Sequence, residues 1–263
     1  MNIIISMTSF GDRLKQLHNY LGWVKFVPYQ FHLYIGKNEI ISPELIAFFD
    51  TTKNANLHRV EDIGPITKSY YSLQEFPDDI VFLIDDDELY NPYWIKFAID
   101  SYMVHQSQFR DCVIGLVARK LIYNANNELE IMHFGDSQDE FQKSLNYFTG
   151  HAQPLTKSFR NVILSGAPGS FLNIRQVHKD YFDINLYNKL SKSHDEVWNW
   201  AQSVRLGYKH VGLHTSRIAL PPIQGTTENN LTVRFNSIEH EREIFKGLLE
   251  TFPEIKTRIN LEM

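Results

Sequence analysis

The sequence predicts an α/β protein: a mostly parallel central sheet flanked by helices, with a helical C-terminal tail. Three observations carry this. Short apolar runs rich in β-branched residues alternate with helical patterns through the first half of the chain. Those runs are apolar almost throughout, as strands buried on both faces require. Two helix starts, Ser42-Pro43-Glu44 and Asn91-Pro92, set a capping side chain directly before a proline.

Taken in order, the expected strands are Asn2–Ser6, Gln30–Ile35, Leu57–Val60, Ile80–Ile84 and Val113–Val117. Helices are expected between them at Arg13–Val24, Pro43–Asp50, Thr67–Phe76 and Pro92–Val104. Alternation of this kind implies βαβ units. The second half is less regular. Asn124–Asn146 is polar and reads as loop, and Ser165–Ser170 is a small-residue stretch. A strong helix follows at Ser193–Leu206, stopped by Gly207 as a C-cap, and Lys209–Leu213 reads as a further strand. Leu220–Asn236, with three Pro or Gly residues and few apolar anchors, is expected to be a mobile loop. Two helices near Ser237–Glu250 and Pro253–Ile259 close the chain, and Trp198 and Trp200 are expected in the core.

Composition removes several classes. With 43% hydrophobic and 13% aromatic residues over 263 positions, the chain has ample material for a core, so disorder is excluded. A net charge of −5 without a Lys/Arg block argues against nucleic acid. Cys112 is the lone cysteine, so neither a disulfide framework nor a thiolate zinc site is available. The first residues lack a basic leader, and no apolar run is long enough for a span, so a cytoplasmic protein is expected.

The most informative junction is Asp85-Asp86-Asp87 directly after the apolar run Ile80–Ile84. Like charges repel, so three adjacent acids call for a neutralising partner, and a divalent cation such as Mn²⁺ or Mg²⁺ suits their hard oxygens. Ligands of open α/β sheets sit beyond the carboxyl ends of strands, where these acids fall. After the first strand, Thr8, Ser9 and Arg13 lie in a loop opening a helix, a place for a nucleotide phosphate or for ordinary capping. Asp62 and Lys68 follow the third strand and read by themselves as a plain turn. Ser193 and Glu196 fit a capping box, while Asp195 in the same first turn has less structural reason to be there. His194 is a rival base, and His214 beyond the last strand is a candidate third metal ligand.

These segments together resemble the GT-A-type nucleotide-sugar glycosyltransferases, more narrowly the bacterial family-2-like enzymes. The resemblance runs from Ile3 to about Gly212 and rests on Ile4–Phe10 with Arg13, Val60–Pro65 with Lys68, and Phe76–Ile80. It continues through the aspartate run with Tyr90, Pro92 and Trp94, then Gly166–Gly169 and His194–Trp198. It implies a GT-A domain over 1–220, with a nucleotide-binding half at about 1–118 and an acceptor half at about 119–220. The segment 221–263 would be a loop with helices packed on the same domain. The implied activity is inverting, metal-dependent transfer of a sugar, from a UDP-linked donor, to a glycan or lipid-linked glycan acceptor in bacterial surface polysaccharide or lipopolysaccharide synthesis. Such a role is compatible with peripheral association at the inner membrane face.

By the same resemblance, Asp87 is the main metal ligand, with Asp85 and His214 beside it. Thr8, Ser9, Arg13, Asp62, Lys68, Asp85, Asp86 and Gly166 line the nucleotide-sugar pocket. Asp195 occupies the position of the base; His194 stands where the family often has Thr or Ser, which leaves the base open between Asp195 and Glu196. A nucleotidyltransferase shares such a sheet but normally has a Gly-rich first loop, and here Gly11 is that loop's only glycine. A non-catalytic sugar-binding protein is the remaining alternative.

Overall fold

The computed structural model describes residues 2–131, 160, 162–164, 169–192, 194–213, 220–223 and 238–260. The first half runs β1 (Ile3–Thr8), β2 (Gln30–Gly36), α1 (Pro43–Thr51), β3 (Ala55–Val60), α2 (Thr67–Glu75), β4 (Ile80–Leu83), α3 (Pro92–His105) and β5 (Cys112–Gly115). Then come β6 (Ala118–Tyr123), β7 (Leu129–Ile131), β8 (Val162–Leu164) and β9 (Ser170–Leu172). The chain continues with α4 (Ile184–Leu190), α5 (Asp195–Leu206), β10 (Lys209–Gly212), α6 (Ile238–Thr251) and α7 (Pro253–Asn260).

Seven strands form the central sheet in the order β10-β5-β9-β4-β1-β2-β3. All neighbours pair in parallel except β9, which lies antiparallel between β4 and β5. From β1 the chain builds outward to β2 and β3 on one side, then returns to place β4 on the other. The strand order therefore reverses at β1, and the loops leaving β1 and β4 open onto one crevice at their carboxyl ends. A second, antiparallel sheet has the order β7-β6-β8.

Side chains divide between two cores, one per face of the sheet. On the first face Ile5, Met7, Phe31, Leu33, Phe82 and Ile114 pack with Leu45 of α1 and Ile95 and Ile99 of α3. On the second, Val81, Leu83 and Val113 meet Leu73 of α2, Trp198 and Trp200 of α5, and Phe245, Leu248 and Ile255 of the last two helices. Both tryptophans are fully buried, and their indole N–H groups donate to Tyr181 O and Arg160 O. Ser42 and Asn91 cap α1 and α3 as their spacing predicts. Gly207 ends α5 at φ +96°, a left-handed turn that favours glycine.

Two expectations are corrected. The helix expected at Arg13–Val24 is a chain of three 3₁₀ turns, Gly11–Lys15, Leu17–Asn19 and Leu21–Phe26. Leu14, Leu17, Leu21 and Val24 are buried as the pattern demands. Steps of three and four residues serve i→i+3 bonding as well as α-helix, so periodicity could not separate the two. Asn124–Asn146 is not all loop: within its described part Leu129–Ile131 forms β7 against β6, and Asn127 takes φ +61° in the turn between them. The described start of Leu220–Asn236 is held in place, with Ile223 buried, its N–H bonded to Asp87 O, and Leu89 N–H bonded to Pro221 O. Positions 224–236 lie outside the described residues, as does Ser193 of the expected capping box.

Candidate active site at the carboxyl edge of the sheet

β4 ends at Leu83, and Asp85–Glu88 turn across the crevice before Asn91 starts α3. The loop after β1 faces them. Ser9 donates to Asp86 Oδ2 at 2.5 Å, and Arg13 Nη1 is ion-paired with Asp86 Oδ1. Arg13 Nη2 stands 3.5 Å from Asp87 Oδ2, and Arg13 Nε is buried without a hydrogen-bond partner. From the other side Lys68, in the first turn of α2, is ion-paired with Asp85 and lies 3.3 Å from Asp195 Oδ2 in the first turn of α5. One buried ammonium thus joins two acids separated by 110 positions in sequence.

All three aspartates accordingly find a countercharge within the protein, Asp87 at the longest distance, in addition to any metal. Lys68 is held above the ordinary lysine range: burial pulls it down, but Asp195 and Asp85 outweigh burial. Asp86 is raised by burial, which Arg13 and Ser9 offset only in part. Asp87 is pushed up to about 6 by burial and by the charges of Asp85 and Asp86. Glu88 rises to about 7 for the same reasons, with Asp87 its nearest like charge, and its Oε2 is buried without a hydrogen-bond partner. Asp87 and Glu88 offer hard oxygens of the kind a divalent cation takes, but among the described residues the acidic run brings no three such donor atoms within 4.8 Å of one another. Asp85 is already engaged by Lys68, and His214 lies outside the described residues.

The remaining residues of the expected pocket are placed as follows. Thr8 Oγ1 donates to Tyr34 O at 2.9 Å, so its hydroxyl ties β1 to β2. Asp62 is exposed and accepts from Gly64 N–H in its own turn. Gly166 lies outside the described residues. Gly169 has φ +145°, and a Cβ there would stand 2.5 Å from the Phe82 ring, so close packing on β4 requires glycine. His194 is the N-cap residue of α5, and its side chain makes no capping bond to the helix.

Glu196 is pushed up to about 8 by burial first, then by Asp195 and Asp85. Lys68, Asp195, Glu196 and Asn199 border a cavity of about 10 Å³, room for about a single water. Behind it Tyr181 bonds Ser69 Oγ at 2.6 Å and Asn199 Oδ1 at 2.7 Å, linking α2 to α5. Sequence reasoning missed Glu88 and this Tyr181 network. Glu88 extends the acidic run by one residue and could have been read with it; nothing local marks Tyr181.

No family model matches the chain, and no curated protein does. Among solved structures it is similar to a 4-diphosphocytidyl-2C-methyl-D-erythritol synthase, at 10% identity and TM-score 0.45 over 89% of this chain and 98% of that one. A CMP:2-keto-3-deoxy-manno-octonic acid synthetase complexed with CTP gives 10% and 0.46 over the same shares. The inositol-1-phosphate CTP transferase from T. maritima gives 13% and 0.44 over 95% and 97%. Identities and scores at this level assign no chemistry.

Proposed function

We propose that this chain is a transferase acting on a nucleotide-linked sugar, with the donor diphosphate held in the crevice between the β1 and β4 loops. The observation that supports this reading is the Lys68 bridge, which sets the acidic run against the first turn of α5. Arg13 keeps a buried Nε–H unspent beside Asp86, a donor available to a phosphate oxygen. Asp87 and Glu88 would hold a Mn²⁺ or Mg²⁺ ion, which when bound supplies charge stabilisation for a leaving diphosphate. Asp195 is the base that takes the acceptor hydroxyl proton. Glu196, raised to about 8 and so mostly protonated at neutral pH, is the alternative base.

Nucleotidyl transfer, which such a sheet with aspartates and a metal also serves, is the second reading, and one assay separates the two. The protein is incubated with nucleotide-diphosphate sugars, and in parallel with nucleoside triphosphates and sugar phosphates, each with Mn²⁺, Mg²⁺ or EDTA. Nucleoside diphosphate release with sugar transfer supports the first reading; pyrophosphate release establishes the second. Absence of both products with every donor overturns both. Under the first reading Asp195→Asn lowers turnover by about 10²–10⁴-fold, whereas a non-catalytic sugar-binding protein would bind glycan unchanged by that substitution.

A further inference from the structure

A second cluster of ligand-type side chains lies at the other end of α2. His32 and Tyr34 of β2 point to the face that α2 covers, as strand alternation requires, and His58 of β3 stands beside Tyr34 in register. His32 Nδ1 is 2.8 Å from His58 Nε2, and His58 Nδ1 is 3.8 Å from Glu75 Oε2 in the last turn of α2. Tyr34 Oη donates to the same Glu75 oxygen at 2.8 Å. Among the described residues, His32, His58 and Glu75 form the one group of three metal-type ligands whose donor atoms all lie within 4.8 Å of one another.

We propose that His32, His58 and Glu75 form a binding site for a borderline divalent cation of the zinc type, separate from the acidic crevice. An N₂O donor set suits Zn²⁺ and leaves the fourth position to water. Donor atoms about 2.0–2.1 Å from a tetrahedral ion stand about 3.3 Å apart. His32 Nδ1 and His58 Nε2 therefore need to open by about 0.5 Å, while one oxygen of Glu75 closes in from within 4.8 Å. The rings are already aligned: His32 and His58 stack with 19° between planes, and Tyr34 lies on His58 at 4.5 Å. Strands hold both rings, and Tyr34 orients the carboxylate from behind, as an outer partner of a metal ligand does. His32 is buried while Glu75 is partly exposed, which leaves the ion a way in from solvent.

The rival account is a shared proton between the histidines with no ion. The full chain, stripped with EDTA and desalted, is titrated with Zn²⁺ in a calorimeter and with Co²⁺ by absorption. The proposal expects one tight Zn²⁺ per chain, tetrahedral Co²⁺ bands and a higher Tm with Zn²⁺. His58→Gln and Glu75→Gln each weaken Zn²⁺ by about tenfold or more, while Asp87→Asn leaves that affinity unchanged. Glu75 is partly exposed, so its variant reports on binding even where the histidine variant folds poorly. Absent Co²⁺ bands, an affinity unmoved in Glu75→Gln, or one lost in Asp87→Asn would overturn the site.

Discussion

The two ends of α2 solve the burial of polar groups in opposite ways. At its N-terminal end Lys68 lies between Asp85 and Asp195, so a buried cation is matched by carboxylates from two other elements. At its C-terminal end, about 10 Å further on at 1.5 Å per residue, Glu75 meets His58 and a tyrosine hydroxyl, with His32 behind His58. Both clusters hang from the same rigid helix. One already holds a resident cation, Lys68, between its carboxylates; the other gathers donors with no cation among them.

Removing the matched cation should have the largest effect. Lys68→Met leaves Asp85 and Asp195 facing one another without their ammonium, in a setting where Asp195 is buried. Breaking a buried pair from one side costs about 3–5 kcal/mol, read as a lower urea midpoint with an unchanged slope. A loss below about 1 kcal/mol would show that water already screens this end. Arg13→Met tests the neighbouring pair, with Asp86 buried and retaining only Ser9, and should cost a comparable amount.

A pH-dependent effect is expected at Glu196. Its folded pKa is raised from 4.5 to about 8, so the fold favours the protonated acid. That contribution is fully present below about 4.5 and is lost as pH rises through about 8. Glu196→Gln cannot ionise, so its Tm should match wild type at pH 5 and exceed it at pH 9. Equal Tm differences at both values would mean that Glu196 does not titrate with folding.

Much of this arrangement was legible in the sequence, for definite reasons. Ser42-Pro43 and Asn91-Pro92 encode their caps locally, and the continuous apolar runs encode buried parallel strands, so the first half was readable. The acidic run at a strand end and the acids opening α5 were both visible as residues. Their meeting was implied only by the resemblance and not by any local pattern, because it depends on strand order reversing at β1 and on α2 delivering Lys68 between them. Leu14, Leu17, Leu21 and Val24 gave the right buried face and the wrong helix type, since i→i+3 and i→i+4 bonding share that spacing. The cluster at His32, His58 and Glu75 was unreadable for a different reason. Its three residues sit on three elements, 26 and 17 positions apart in sequence, and only strand register brings them together.

The smallest expected effect sharpens the contrast best. In the presence of EDTA, Glu75→Gln should change stability by less than about 0.5–1 kcal/mol. The amide oxygen still accepts from Tyr34, the side chain is partly exposed, and no buried cation loses its partner. Lys68→Met and Glu75→Gln thus alter the two ends of one helix by one charge each, yet their costs should differ several-fold. With Zn²⁺ added, wild type should gain Tm and Glu75→Gln should not, so the gap between them should open only with the ion. A large cost in EDTA would instead make Glu75 an ordinary structural acceptor, and the two ends of α2 would then be alike.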